Sequence, residues 1–174
     1  MLKARKKRKR FGILRSVNDL KQIVNKMPEE DECYKIISHG DFASISFILL
    51  VSEITKIKNM YVSTFRVGKK EILAIDEMKK RGRIDNCKFV FFNIMRKSNS
   101  EKYNYFDILE KICKKNDFEI AEKQNHSKVI LLDTEMGKYV IETSSNLNEN
   151  PKIEQFSFEK DSELYEFYKE EIFG

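Results

Sequence analysis

An α/β fold with a mixed sheet is predicted by three features of the chain. Short apolar runs rich in β-branched and aromatic residues recur along it. Amphipathic segments of helical period separate the first of these runs, and a close-set series of strands precedes a last amphipathic segment. The 174 residues, 41% of them apolar, are enough for one domain with a full core.

The elements follow in order. Ser16 and Asp19 make a capping box that opens a helix, Leu20, Ile23, Val24 and Met27 form its apolar stripe, and Pro28 stops it. Cys33 to Ser38 is the first core strand. His39-Gly40-Asp41 is a turn whose Asp41 caps a buried helix over Phe42 to Ile57, with a strand as the alternative because several of its residues are β-branched. Met60 to Phe65 is the next strand. Lys70 to Arg81 is an amphipathic helix with Ile72, Ile75 and Met78 inward, positive charge at its C-terminal end and Gly82 closing it.

Lys88 to Ile94 is apolar enough to be a central, parallel strand. Lys97 to Lys102 is a polar surface loop. Tyr105 to Lys115 is a helix, and Phe118 to Glu122 a short strand. Val129 to Leu132 and Lys138 to Glu142 form a hairpin turning at Met136-Gly137-Lys138. Glu154 to Phe158 is the last strand, and Asp161 caps a terminal helix carrying Leu164, Phe167, Tyr168 and Ile172.

The net charge of +5 is unevenly placed. Lys3, Arg5, Lys6, Lys7, Arg8, Lys9 and Arg10 supply seven positive charges, and the rest of the chain carries a formal −2. Residues 1–15 are therefore expected to be a basic flexible arm and residues 16–174 the folded domain. Such an arm suits nucleic acid, because each cation near a phosphate releases a counterion. DNA stands ahead of RNA as the expected partner. Cys33, Cys87 and Cys113 lack CxxC spacing, which speaks against a zinc site or a disulfide framework. No carboxylate cluster points to a metal, and no cofactor is expected. The longest apolar run, Phe47 to Val51, is too short to span a bilayer, so a soluble cytoplasmic protein without stable membrane insertion is expected.

Chemistry concentrates near the end. His126 and Lys128 stand two apart in HSKVILLD, and Ser144 and Asn146 two apart in TSSN. On adjacent strands each pair would share a face and gather an imidazole, an ammonium, a hydroxyl and an amide. That set suits a phosphate.

The order His126-x-Lys128, four residues, Asp133, nine residues, Thr143-Ser144-Ser145-Asn146 resembles the HKD motif of the phospholipase D superfamily, and Glu154 resembles the glutamate of its nuclease members. Two departures stand out: Thr143 occupies a position usually held by Gly, and the interval before it is longer. The resemblance implies a phospholipase D-like mixed β-sheet flanked by helices on both faces. It also implies that His126 attacks phosphorus, that Lys128 and Asn146 hold phosphate oxygens with Ser144, and that Glu154 orients a histidine. Asp133 is taken as structural, bonding backbone at the hairpin. One motif per chain implies a homodimer sharing one site.

The implied activity is a metal-independent nuclease working through a phosphohistidine. The alternatives are a nucleic-acid-binding protein without turnover, which Thr143 permits, and a lipid phosphodiesterase. Arg66, Lys69, Arg81 and Arg83 read as solvated surface, and His39 alone is a weak site signal.

Overall fold

The computed structural model describes residues 6–40, 42–92, 105–149 and 151–174. The elements in chain order are β1 (Arg8–Leu14), α1 (Val17–Ile23), β2 (Glu32–His39), α2 (Ile45–Ile54), β3 (Ile57–Thr64), α3 (Lys69–Lys80) and β4 (Ile84–Phe92). They continue with α4 (Tyr105–Asn116), β5 (Glu119–Lys123), β6 (Val129–Thr134), β7 (Gly137–Thr143), β8 (Ile153–Lys160) and α5 (Ser162–Phe173). The strands form one sheet in the order β1-β2-β8-β7-β6-β3-β4-β5. β1 and β2 are parallel, as are β3, β4 and β5, and the antiparallel run β8-β7-β6 joins the two blocks.

Strand alternation sorts the core. Ile130, Leu132, Tyr139, Ile141, Phe156 and Phe158 pack in one cluster with residues of α1, α2, α3 and α4. The alternate residues Val129, Leu131 and Val140 pack with Tyr165 and Phe173 of α5. Phe11, Ile13, Ile37 and Ile153, on β1, β2 and β8, are exposed.

The largest departure from expectation is the N-terminus. Residues 8 to 14 of the expected flexible arm are strand β1, hydrogen-bonded along the sheet edge with Arg8 opposite Glu32 and Leu14 opposite Ser38. Leu14 is fully buried. A Cβ at Gly12 would meet the Ile23 side chain at 2.7 Å, so glycine lets α1 lie close on the strand.

Three of the five described charges that made the segment look like an arm are engaged. Lys7 pairs with Glu159 at 2.5 Å and Asp161 at 2.6 Å. Arg8 makes a two-pronged pair with Asp31, and Arg10 bonds Glu32, whose side chain is wholly enclosed. Lys6 and Lys9 are exposed, while Lys3 and Arg5 lie outside the described residues.

Smaller corrections concern boundaries. α1 ends at Ile23, well before Pro28. α2 is a helix, but it starts at Ile45, and Ile57 opens β3 instead of closing the helix. β4 is flanked by parallel neighbours on both sides, as its apolar sequence implies. Asp161 accepts from the backbone N–H groups of Glu163 and Leu164, capping α5 as expected. Gly137 has φ +124° at the β6–β7 turn. The Asp41 cap and the 97–102 loop fall outside the described residues. All three cysteines are buried and free, and burial pushes the Cys113 thiol up to about 12.

One buried carboxylate with exposed lysine partners makes stability depend on pH. Asp76 of α3 accepts from Lys115 and Asn116 of α4, each at 2.8 Å, and pairs with Lys80 at 2.9 Å. Burial alone would raise its carboxyl pKa, but the bonds from Asn116, Lys115 and Lys80 overcome that and hold it below the ordinary 3.8. Its contribution is therefore complete above the unfolded value and fades as pH falls through 3.8 toward the lower folded one. Asp76→Asn should cost about 2 kcal/mol in urea unfolding at neutral pH, with the difference from wild type shrinking below 3.8. A difference that stays constant down to pH 3 would contradict this account.

Candidate active site at one end of the sheet

The ends of β2, β3 and β7 and the starts of β6 and β8 meet along one edge of the sheet, as the pairings Ser63–Val129, Val129–Glu142, Thr143–Phe156 and Ser38–Glu154 require. All five residues expected to be catalytic lie there. Glu154 is on β8, but His126, Lys128, Ser144 and Asn146 are in the segments just outside the strands, so the shared-face argument from strand period does not apply to them.

The segment 125–128 precedes β6 and is anchored from below. Ser63 of β3 receives the Asn125 side-chain amide at 2.7 Å, and Ser127 bonds both Ser63 and Asn125 through its hydroxyl at 2.6 Å. Ser127 N–H also donates to Asn125 Oδ1. These bonds hold the alternate residues, His126 and Lys128. Lys128 Nζ lies 3.4 Å from His126 Nδ1 and donates to the His126 carbonyl at 3.0 Å. Burial lowers the Lys128 pKa, and the negative charge of Glu154 partly opposes that.

The ladder runs one step past β6, because Thr143 N–H donates to the Lys128 carbonyl. This carries the chain directly into Ser144. The Ser144 hydroxyl donates to the Glu154 carboxylate and accepts from Gln155 N–H at 3.1 Å, while Ser144 N–H donates to the Gln155 carbonyl. Glu154 is only 8% exposed. Its expected role was to orient a histidine; here it holds Ser144 and its charge reaches Lys128.

Asn146 Oδ1 accepts from the backbone N–H of Phe65, at the end of β3. With the oxygen end so engaged, the NH2 end of the amide is the one left to act as a donor. The Asn146 carbonyl is fixed by the Ser44 hydroxyl at 2.9 Å.

Two expectations change. Asp133 sits in β6 near the far end of the strand and accepts from the Asn59 side chain at 2.9 Å, so its partner is a side chain on β3, not hairpin backbone. Arg66 was read as solvated surface. It is exposed, but its guanidinium lies 5.6 Å from the centre of the Phe65 ring, and that ring is 5.2 Å from His126. Phe65 and Arg66 thus belong to the neighbourhood of the site. Nothing in their sequence context marked them, because the contact depends on β3 pairing with β6 across 60 residues of chain. His39 ends β2, exposed and opposite Ile153.

Among the described residues no group of three or more His, Cys, Asp or Glu side chains is placed to hold a metal ion. No helix among them is long and apolar enough to cross a membrane.

No protein-family model matches this chain, and no curated protein matches it. Among solved structures, the polyphosphate kinase of Porphyromonas gingivalis matches at a TM-score of 0.59 and 12% identity. The match covers 86% of this chain and 28% of the kinase chain, so the present chain spans well under a third of that enzyme. The likeness is one of fold alone, and it extends over most of this chain.

Proposed function

We propose that this protein is a phosphodiesterase of the phospholipase D-like type, cleaving nucleic acid at a site shared by two copies of the chain. The observation that carries the reading is the connected set of contacts at this end of the sheet. His126 touches Lys128, Lys128 leads through Thr143 to the bonded pair Ser144–Glu154, and His126 returns through Phe65 to Asn146.

The chemistry follows from the residue types. A ring nitrogen of His126 attacks phosphorus, forming a P–N bond as the P–O bond to the leaving group breaks. The leaving oxygen takes a proton from the partner subunit's His126. That neutralised imidazole then accepts a proton from a water molecule, whose oxygen attacks the phosphohistidine and releases His126. Lys128 and the Asn146 amide hold the non-bridging oxygens, where negative charge builds up. Half-burial of Lys128 strengthens this, since a bound phosphate replaces the water it has lost. The mechanism requires no divalent cation.

The test is incubation with labelled single- and double-stranded DNA and RNA in EDTA, with light scattering on the same sample. Cleavage by a dimer is expected. A strict monomer at micromolar concentration would remove the second histidine and with it this mechanism. Salt-sensitive binding without cleavage in any condition would leave a binding protein on this fold.

A further inference from the structure

Beside the phosphate-binding groups lies an aromatic cluster that the proposed chemistry does not use. Phe65 follows the last residue of β3, and its N–H is held by Asn146. Its ring stacks on Phe92 of β4 with centroids 5.1 Å apart and planes 25° apart. The His126 ring is tilted 52° to it. Arg66 presents its guanidinium over the same ring. The backbone here is rigid: the Arg66 carbonyl accepts from the Thr64 hydroxyl at 2.8 Å and from Leu147 N–H at 3.3 Å.

Phe65 is half-buried and Arg66 exposed, unlike the core phenylalanines Phe47, Phe89 and Phe91, which are wholly enclosed. Arg66 makes no ion pair among the described residues. A cationic plane over an aromatic ring, next to the histidine that meets phosphorus, is the arrangement that receives a flat, electron-rich ring attached to a phosphate.

We infer that Phe65 and Arg66 form a stacking ledge for the nucleobase next to the scissile phosphate, so that the substrate is single-stranded nucleic acid. The inference rests on the reading of the site as a nuclease. Within a duplex the base faces belong to their neighbours and only sugar and phosphate face outward, so a ledge at this depth meets a base only when it is unpaired. A lipid headgroup or an inorganic polyphosphate has no such ring to offer.

The experiment compares fluorescence anisotropy of a labelled single-stranded oligonucleotide with that of an abasic backbone of the same length. It uses DNA and RNA versions, with wild type, Phe65→Leu and Arg66→Ala, and adds kcat/KM on the same ligands. Wild type should prefer the base-bearing strand about tenfold, and both variants should lose most of that preference. Arg66→Ala changes an exposed side chain and keeps the test valid should Phe65→Leu misfold.

Equal wild-type affinity for the two strands would overturn the ledge, as would variants that weaken both strands alike. The nuclease reading fails separately. Discrimination without any cleavage leaves the ledge standing, and cleavage of both strands at equal kcat/KM removes the ledge while keeping the nuclease.

Discussion

His126→Ala is expected to lower phosphodiester cleavage in EDTA by at least about a thousandfold, while salt-dependent binding to nucleic acid persists. In the proposed mechanism His126 does two jobs, nucleophile in one copy and general acid in the other, so one substitution removes both. Its surroundings should survive the change, because Ser63, Asn125 and Ser127 anchor the segment through residues on either side of it. An unchanged melting temperature with lost activity would separate chemistry from folding. Retention of more than a tenth of wild-type kcat would exclude His126 as nucleophile. Trapping labelled phosphate on wild type after acid-free denaturation, and its absence in His126→Ala, would identify the covalent intermediate directly.

The second large effect concerns residues 1 to 14. As a free basic arm they could be removed with loss of binding alone. As the edge strand they cannot. Their removal takes away the buried side chain of Leu14, the hydrogen bonds of β1 along β2, and the Arg10 partner of the enclosed Glu32. Loss of Leu14 packing alone costs about 3 kcal/mol. For a chain of 174 residues this lowers the melting temperature by roughly 6–12 °C. A truncated protein that melts within a degree or two of the intact one would show that the strand is dispensable. Removing only the residues before Lys7 is the matching control, since it spares β1 and the Lys7 pairs with Glu159 and Asp161.

Much of the α/β pattern was legible because local signals agreed with tertiary ones. α3 and α5 follow their caps and apolar periods, and the Gly137 turn sets the β6–β7 hairpin. β1 was not legible, because the cations in and just before it have partners on other elements: Arg8 and Arg10 meet Asp31 and Glu32, and Lys7 meets Glu159 and Asp161 some 150 residues away. Charge counted along the chain cannot register neutralisation across the fold. The site shows the same division. His126, Lys128, Ser144 and Asn146 stood out by spacing and Glu154 by the family resemblance, and the structure brings them to one end of the sheet. Phe65 and Arg66 gave no sign, because only the β3–β6 register sets them beside His126. The strand-face argument reached the right neighbourhood for a wrong local reason, since His126, Lys128, Ser144 and Asn146 lie just beyond the strand ends.

The order of strands has a temporal consequence. Everything through β5 can form only two separate parallel patches, β1–β2 and β3–β4–β5, with no hydrogen-bonded strand between them. The bridge is made from β6, β7 and β8, which follow all of them in the chain. The nascent chain therefore carries two unjoined sheet fragments with open edges until β6, β7 and β8 are available, and the candidate catalytic groups arrive with the very pieces that close the gap. A chaperone that shields strand edges would serve this protein late in translation, and any activity would switch on only after the sheet is whole.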